Sequence, residues 1–329
     1  MYRVAVVGAT GFAGQELLRL LARHPHVRLT VATGSQATST PRKLPALSHL
    51  WDGQVEPLDR ARVIAEADVA FLALPEAASA EIAPSLVAAG LRVIDLSGAF
   101  RLRDGRARAR WYPATTTMPE GVAYGLTEFE RDAIAGARLL SNPGCYPTAS
   151  LLALMPLMRG GLMAANGDVV IDAKSGISGA GKVPSERTHF SENHGSVAAY
   201  GAFGHRHTPE MEQALGRPVT FVPHLVPLDR GILASNYVRL EPGTTADRLA
   251  EIFHQAYASA PFVRVRGTDL PEIKHVAWTN FCDIGWKVDE PTGRALIVSA
   301  IDNLLKGAAG SAVQNFNVMC GLDDKVGLL

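Results

Sequence analysis

Cys145 lies in a segment whose residue types suit a presented nucleophile. Residues 141–148 read Ser-Asn-Pro-Gly-Cys-Tyr-Pro-Thr, where Pro143 and Gly144 predict a tight turn between the end of a strand and an apolar helix that starts near Thr148. A thiol at the start of a helix faces main-chain N–H groups and the positive end of the helix dipole, and both favour the thiolate. A free cysteine is more often a small buried apolar residue, but the turn residues favour a nucleophile at Cys145.

A thiol nucleophile needs a group that takes up and returns protons, and an imidazole with a pKa near neutrality suits that role. His205 and His207 flank Arg206, after a glycine-rich segment at 201–204 and before a helix predicted to open at Thr208. If this segment is extended, alternate residues share one face and the two imidazoles point the same way. We predict His207 as the acid/base, with His205 as the alternate or as a substrate contact; a surface cluster that caps the helix is the competing interpretation.

The other histidines give weaker signals. His224 is a lesser candidate, expected as a buried hydrogen-bonding residue near the site. Three are expected at the surface: His24, His26 and His254. Four have no preferred interpretation: His49, His189, His194 and His275.

The N-terminal residues follow a strand, glycine loop and helix pattern. An apolar strand at 4–7 leads into Gly-Ala-Thr-Gly-Phe-Ala-Gly at 8–14 and then into a segment at 15–23 with helical apolar spacing. Glycines let a main chain approach a pyrophosphate while the helix N-terminus stabilises its charge. The pattern predicts a dinucleotide site with these contacts: Gly8, Thr10, Gly11, Phe12, Ala13 and Gly14.

The end of the second strand, predicted at 27–33, indicates which dinucleotide is bound. An NAD site usually carries an acidic residue there for the ribose hydroxyls, whereas this sequence continues with Gly34 and Ser35. Ser35 together with Arg42 and Lys43 could accept a 2′-phosphate, so we expect NADP. For Arg42 and Lys43 a solvated loop is an equally good interpretation.

Strand and helix patterns continue to alternate through segments 69–75, 77–89 and 92–97, which predicts a Rossmann-type, doubly wound, mostly parallel α/β sheet.

The 329 residues are enough for two domains. Lys plus Arg equals Asp plus Glu at 32 each, so bulk charge favours neither a nucleic-acid nor a membrane partner. Three cysteines without framework spacing, no charged leader and no apolar run of membrane length indicate a cytoplasmic protein. Cys282 and Cys320 are expected to be buried, and no metal is expected.

Taken together, six motifs resemble those of the N-acetyl-gamma-glutamyl-phosphate reductases, in the aspartate-semialdehyde dehydrogenase-like superfamily. They are the loop at 8–14, Asp-Leu-Ser-Gly-Ala-Phe-Arg-Leu at 95–102, residues 141–148, Asp-Ala-Lys-Ser-Gly-Ile-Ser-Gly-Ala-Gly at 172–181, His-Arg-His-Thr-Pro-Glu at 205–210 and Asp-Asn-Leu-Leu-Lys-Gly-Ala-Ala-Gly at 302–310. The loop at 35–44 departs from the family, since it lacks the Ala-Gly-Lys run of many relatives.

The resemblance implies an NADP-binding domain at 1–145 plus 304–329 and an α+β substrate and oligomerisation domain at 146–303, in a homodimer or homotetramer. It also implies that Cys145 attacks N-acetyl-gamma-glutamyl phosphate to form a thioester, which NADPH reduces to the semialdehyde in arginine biosynthesis. The implied substrate contacts are Arg101, Asn142, Ser178, Gly179 and Arg206. The implied further cofactor contacts are Ser97, Ser175, Gly176, Asn303 and Lys306.

Other functions fit parts of the sequence. The same chemistry could act on a carrier-linked aminoadipyl phosphate of lysine biosynthesis or on aspartyl phosphate. An NADP-binding redox sensor would use Cys145 as its responsive thiol but would leave the histidine pair and the glycines of the acyl site without a purpose. A cysteine hydrolase would leave the glycine loop unexplained.

Overall fold

The structure, a computed structural model, describes residues 1–34 and 40–329. The chain forms two compact units, Met1–Gly144 with Ala308–Leu329, and Cys145–Gly307. Cys145 is therefore the first residue of the second unit. Whether the units fold as the independent domains expected at 1–145 plus 304–329 and at 146–303 stays a prediction.

The first unit is built on a parallel sheet with strand order β2-β1-β3-β4-β6-β5. All its pairings are parallel. Its strands are β1 (Tyr2–Val7), β2 (Val27–Thr33), β3 (Val69–Leu72), β4 (Arg92–Asp95), β5 (Ala123–Tyr124) and β6 (Leu139–Ser141). Because β2 lies on one side of β1 and β3 on the other, the winding direction reverses at β1, and ligands of such sheets bind beside that reversal. The predicted doubly wound parallel sheet is confirmed.

Helices cover both faces of this sheet. Successive residues of a strand face opposite sides: Val4 and Val6 belong to one apolar core and Ala5 and Val7 to another, and all four are fully buried. Burial on both faces is what a parallel sheet requires. The helices before the second unit are α1 (Phe12–Leu21), α2 (Arg60–Glu66), α3 (Glu76–Ala88), α4 (Gly105–Trp111) and α5 (Thr127–Ala135).

The second unit contains a mixed sheet with strand order β11-β12-β13-β10-β7-β9-β8. Its elements in chain order are α6 (Cys145–Arg159), β7 (Val170–Gly176), α7 (Phe190–Asn193), β8 (Ala198–Ala199), α8 (Thr208–Leu215), β9 (Thr220–Val226), β10 (Ile232–Arg239), α9 (Ala246–Tyr257), β11 (Val263–Gly267), β12 (Cys282–Asp289) and β13 (Arg294–Ile301). The pairs β7·β9 and β11·β12 are parallel and the others antiparallel. The expected α+β class of this unit is confirmed.

Helix α6 is the centre of the second unit. Residues 146–157 are buried without interruption, so the helix has no solvent face. The Ser299 hydroxyl on β13 donates to the Ala149 carbonyl at 2.7 Å, and the Tyr257 hydroxyl at the end of α9 donates to the Leu152 carbonyl. The helix begins at Cys145 rather than near Thr148 as expected, which brings the thiol into its first turn.

A π-helical turn, Leu305–Ala309, begins at the end of the second unit and leads into α10 (Gly310–Met319) of the first unit. Short 3-10 turns lie at Pro45–Leu47, Ile177–Ala180, Glu186–Thr188, Ile273–His275 and Glu290–Thr292. Among the helices that the structure describes, none is long and apolar enough to cross a membrane.

His24 was expected at the surface, and that expectation is wrong. Its side chain is 3% exposed, because the C-terminal residues after α10 cover it, with Gly327 directly against the ring. The Nε2 atom lies 2.9 Å from Asn317 Oδ1, and the Nδ1 atom accepts the His26 main-chain N–H at 3.3 Å. The neutral ring with its hydrogen on Nε2 satisfies both contacts.

Burial lowers the pKa of His24, so we expect this residue to make the protein less stable in acid. The unfolded chain binds the proton at about pH 6.5 and the folded chain only at lower pH. The stabilisation is therefore complete above about pH 6.5 and decreases as the pH falls, by at most about 1.4 kcal/mol per pH unit. Urea unfolding at pH 7.5 and 5.5 should show a smaller loss for His24→Gln than for the wild type. The exposed His254→Gln is the control, and an equal loss in all three proteins would contradict the assignment.

Candidate active site

The glycine loop leaves the carboxyl end of β1 where the winding direction reverses. Gly8 has φ = 90°, and a Cβ there would lie 2.2 Å from the Ala73 carbonyl oxygen at the end of β3. A Cβ on Gly14 would lie 2.2 Å from the Gly8 carbonyl oxygen. Both positions need glycine because another main chain passes at contact distance. The loop therefore brings the first turn of α1, which has no acidic residue, to the sheet edge as a site for a pyrophosphate.

The other predicted loop contacts lie around this turn. Thr10, Gly11 and Ala13 are half-buried and Phe12 is at the surface. Ser35 lies outside the described residues. Arg42 and Lys43 are exposed, so the 2′-phosphate contacts stay a prediction.

A second polar group lies at the carboxyl ends of β4 and β6. Asp95 is fully buried and accepts hydrogen bonds from the main-chain N–H of Ser97 (3.1 Å) and from its hydroxyl (2.7 Å). Burial raises the pKa of Asp95. This pairing fixes Ser97 at the sheet edge, where cofactors of such sheets bind.

Arg101 and Asn142, both predicted to contact substrate, belong to a hydrogen-bond network in the first unit. The Arg101 guanidinium donates to the main-chain carbonyls of Asn142 (2.9 Å) and Leu96 (2.8 Å). The Asn142 amide donates to the Ser311 hydroxyl at 3.0 Å, and Asn315 donates to Asn142 Oδ1 at 3.0 Å. The sequence did not reveal that Arg101 also holds the turn before Cys145.

In the second unit, Cys145 is the first residue of α6 and is partly exposed. The first turn of α6 contains no acidic residue, so the positive end of the helix dipole acts on the thiol without competition from a side chain in that turn. None of the three cysteines is in a disulfide. This environment favours a thiolate.

The two predicted histidines lie together beside the residue that follows the thiol. The ring centroids of His205 and His207 are 4.8 Å apart, and the Tyr146 ring packs edge-on against both, at 5.7 and 5.9 Å. Phe221 completes the cluster, 5.1 Å from Tyr146 and 5.3 Å from His205. The predicted proximity of the two imidazoles is thus present, next to the start of α6.

The predicted extended conformation of this segment is wrong. Residues 205–207 form a turn in which Thr208 donates its N–H to the His205 carbonyl at 3.0 Å, and His207 has φ = −82° and ψ = −14°. The His207 N–H also bonds to Nδ1 of His205 at 3.1 Å. The imidazoles are adjacent because of this turn and the start of α8, not because of strand alternation.

Burial, with a smaller effect of the Arg206 charge, lowers the pKa of His205 to about 4. His205 is therefore neutral near pH 7, with Nδ1 as an acceptor. Arg206 itself is exposed.

Two tyrosines that the sequence did not single out border the site. The hydroxyls of Tyr146 and Tyr200 lie 3.1 Å apart, and Tyr146 also donates to the His224 carbonyl at 3.3 Å. Burial raises the pKa of both tyrosines, so both stay protonated. Tyr146 could have been suspected as the neighbour of Cys145, but no local pattern marks Tyr200.

His224 does not join the imidazole pair. Its Nδ1 lies 3.1 Å from Asp172 Oδ1, and Lys174 lies 2.7 Å from the other Asp172 oxygen, across the neighbouring strands β7 and β9. His224 thus lies against the Asp172–Lys174 ion pair on the sheet.

The glycine-rich segment after β7 contacts the segment after β13. Asn303 donates to the Ser178 hydroxyl at 3.0 Å and accepts the Gly231 N–H at 2.6 Å. A Cβ on Gly179 would lie 2.8 Å from the Ser175 hydroxyl, which explains the glycine there. Of the remaining predicted residues, Gly176 is buried at the end of β7, and Lys306 is 1% exposed with its amine 5.7 Å from the centre of the Phe262 ring.

A thiol at a helix start beside imidazoles can perform covalent catalysis, and the glycine loop can hold a dinucleotide. Comparison with known proteins shows the family. Residues 3–137 match the family described as Semialdehyde dehydrogenase, NAD binding domain, and residues 145–303 match Semialdehyde dehydrogenase, dimerisation domain. The fold and the site thus define a protein of the semialdehyde dehydrogenase class, with an NAD(P)-binding domain and a dimerisation domain.

Full-length relatives identify the family. The chain is 45% identical to the N-acetyl-gamma-glutamyl-phosphate reductase of Brevibacillus brevis, covering 100% of this chain and 98% of the relative. It is 47% identical to the reductase of the same name from Symbiobacterium thermophilum, covering 99% and 97%. The chain belongs to the N-acetyl-gamma-glutamyl-phosphate reductase family, which confirms the resemblance seen in the sequence.

Solved structures show the same fold. Aspartate semialdehyde dehydrogenase II of Vibrio cholerae, complexed with ASA, matches with a TM-score of 0.75 and 18% identity over 98% of both chains. Aspartate semialdehyde dehydrogenase of Candida albicans, solved with NADP, matches with a TM-score of 0.71 and 16% identity over 97% of this chain and 98% of that one.

The glycine loop gives a testable substitution. A Cβ on Gly14 would meet the Gly8 carbonyl oxygen at 2.2 Å, whereas a Cβ on Gly136, outside the loop, would meet no atom within 4 Å. We expect Gly14→Ala to weaken NADPH binding at least about tenfold, because the loop must open to admit the methyl group. Gly136→Ala is the control and should bind within about threefold of the wild type, since the added methyl group has room. Fluorescence titration with NADPH measures both, and equal affinities of the two variants would show that the loop does not hold the cofactor.

Proposed function

We propose that this chain catalyses the NADPH-dependent reduction of N-acetyl-gamma-glutamyl phosphate to N-acetylglutamate semialdehyde and phosphate, in arginine biosynthesis. One observation carries the proposal: Cys145 opens a helix whose next residue, Tyr146, packs against the His205 and His207 imidazoles, in a chain that matches reductases of this name along its whole length. Reduction of an acyl phosphate needs a nucleophile that displaces phosphate and then holds the acyl group for hydride transfer, and a thiolate does both.

The reaction follows from the chemistry of the thiol. The Cys145 thiolate attacks the γ-carbonyl, the bond from that carbon to the phosphate oxygen breaks, and a thioester forms with release of phosphate. NADPH, when bound, supplies the hydride that reduces the thioester carbonyl. The thiohemiacetal oxygen then loses its proton as the carbon–sulfur bond breaks, releasing semialdehyde and restoring the thiolate.

His207 is the proposed acid/base of this cycle. It would take the thiol proton before attack and protonate the developing oxygen during reduction. His205 suits this role less, because its low pKa keeps it neutral through the physiological range; as a neutral ring it can accept a hydrogen bond from substrate. Arg101 and Arg206 are the proposed partners of the anionic substrate groups, since a guanidinium binds carboxylate or phosphate bidentately.

Main-chain and hydroxyl groups complete the proposed contacts. The turn at Ser178 and Gly179, held by Asn303, would contact the substrate, and Asn142 would contribute from the turn before Cys145. The proposed cofactor contacts are Gly8, Thr10, Gly11, Phe12, Ala13, Gly14, Ser35, Ser97, Ser175, Gly176, Asn303 and Lys306. The Lys306 amine is buried and lies over the Phe262 ring.

We favour NADP over NAD because no carboxylate follows β2 in the sequence before residue 52. The solved Candida albicans relative contains NADP. The match of residues 145–303 to a dimerisation domain supports a homo-oligomer, either a dimer or a tetramer. The need for a free Cys145 thiol and a reduced cofactor fits the cytoplasm.

The reaction can be measured in reverse, as phosphate-dependent reduction of NADP by N-acetylglutamate semialdehyde, followed at the absorbance of the reduced nicotinamide. We expect turnover with this aldehyde, much less with aspartate semialdehyde or aminoadipate semialdehyde, and a higher kcat/KM for NADP than for NAD. Cys145→Ser should abolish turnover and leave NADP binding unchanged, because a serine hydroxyl is a far weaker nucleophile of similar size. Cys320→Ser is the matched control and should retain activity. Turnover by Cys145→Ser above a few per cent of wild type would refute the covalent mechanism.

Substitutions of His205 and His207 should have different effects on turnover in the same assay. We expect His207→Asn to lower kcat by about two to four orders of magnitude with a smaller effect on KM, the usual contribution of a positioned acid/base. His205→Asn should cost less, and it should leave every ionisation between about pH 5.5 and 9 in place, because a group with a pKa of about 4 does not titrate there. A pH–rate profile that loses its near-neutral ionisation in His205→Asn but keeps it in His207→Asn would reverse the assignment.

A further inference from the structure

The π-helical turn Leu305–Ala309 brings a main-chain segment against the nucleophile. Its first bond runs from the Gly307 N–H to the Asp302 carbonyl at 2.9 Å, a spacing of five residues. A Cβ on Gly307 would lie 2.9 Å from the Cβ of Cys145 and 3.2 Å from Ile301 Cδ1. Carbon atoms in contact lie near 3.5–4.0 Å, so only glycine fits. The wide turn of a π-helix, a form often found at functional sites, makes this approach possible.

The Asp302 carboxylate holds this turn in place. It is fully buried. Its Oδ1 accepts the N–H groups of Leu304 at 2.8 Å and of Leu305 at 2.9 Å, so one oxygen caps the start of the turn. Its Oδ2 accepts the Trp278 N–H at 2.7 Å and the Arg230 guanidinium at 3.3 Å. A buried carboxylate with four donors is fully paired and rigid.

Arg230 and Trp278 fix the other side of the carboxylate. The Arg230 side chain is almost completely buried, and its guanidinium carbon lies 3.5 Å from the centre of the Trp278 ring. Trp278 has φ = 66°, a left-handed conformation that is costly for a large side chain. Such strain persists where the surroundings impose it, and here the hydrogen bond to Asp302 and the stacked guanidinium do so.

We propose that Asp302 and Gly307 are positioning residues for Cys145: Asp302 fixes the π-helical turn, and the missing side chain of Gly307 sets where the thiol can lie. The proposal rests on the proposed function, because it assigns these residues to the attack of the Cys145 thiolate. Attack needs the reacting atoms about 3–3.5 Å apart and aligned, and a displacement of about 1 Å can cost about 100-fold in rate. Neither residue needs to touch the substrate for this effect.

Gly307→Ala tests the contact directly. The added methyl group must push Cys145 or the turn away, so we expect kcat to fall about 10- to 100-fold, with the KM for the aldehyde and the Kd for NADP within about threefold of wild type. Alkylation of Cys145 by iodoacetamide, measured from pH 5 to 9, should differ from that of the wild type in its rate or in its apparent pKa. Gly136→Ala is the control, because a Cβ there meets no atom within 4 Å, and it should match the wild type.

Asp302→Asn keeps the volume of the side chain but turns one acceptor into a donor that faces N–H groups. We expect the same pattern as for Gly307→Ala, a loss in kcat with altered alkylation of Cys145, and this variant decides the matter if Gly307→Ala does not fold. The proposal is overturned if the folded variant keeps kcat within about twofold of wild type, or if kcat falls while Cys145 alkylation is unchanged. Alkylation does not depend on the substrate, so a wild type without reductase activity would refute the proposed function and still leave the positioning of Cys145 measurable.

Discussion

The structure depends on one constraint: the helix that begins at the nucleophile has no solvent face. The first turn of any helix leaves main-chain N–H groups without helical partners, and burying such an end is costly unless something polar meets it. Here that end carries Cys145, and a thiolate is a partner that those N–H groups stabilise. The body of α6 is fixed from two sides, by the Ser299 hydroxyl of the sheet and by the Tyr257 hydroxyl of α9. The position of the thiol is thus set by the core of the unit rather than by a surface loop, as precise covalent chemistry requires.

The groups around the thiol are mostly kept uncharged. Burial lowers the pKa of His205 and raises the pKa values of Tyr146 and Tyr200, so near pH 7 these three rings contribute shape and hydrogen bonds but no charge. Edge-to-face packing of the Tyr146 ring against both imidazoles fixes their orientation, and His205 holds the main-chain N–H of His207. The acid/base role proposed for His207 depends on a neutral His205, which supports the turn and does not compete for the proton.

Local sequence patterns correctly predicted the elements whose structure depends mainly on neighbouring residues. The strand β2 and the helix start at Thr208 follow from apolar spacing and from residues next to one another in the chain. The errors arose where distant segments decide. His24 is buried because Asn317, 293 positions later, and the C-terminal residues cover it. Tyr200 reaches Tyr146 across 54 positions, with no signal in its own neighbours. Arg101 stays a predicted substrate contact, and no sequence pattern shows that its guanidinium also meets the Asn142 and Leu96 carbonyls.

The glycine loop and the turn at Gly307 share one feature. In both, another part of the chain lies where the Cβ of a larger residue would be. At Gly8 and Gly14 the neighbouring atoms are carbonyl oxygens of the adjacent strand and of the loop itself. Without a Cβ at these positions, the loop can fold closely enough to approach a phosphate. At Gly307 the neighbouring atom is the Cβ of Cys145, the proposed nucleophile. The absence of a Cβ on Gly307 leaves room for that side chain. The first case is readable from the sequence, since its glycines lie three residues apart before a helix. The second is not, because Cys145 and Gly307 lie at opposite ends of their unit in sequence and meet only when β13 and the turn fixed by Asp302 are in place. A glycine that makes room for a residue distant in sequence carries no local mark, and the proposed position of the Cys145 thiol depends on that contact.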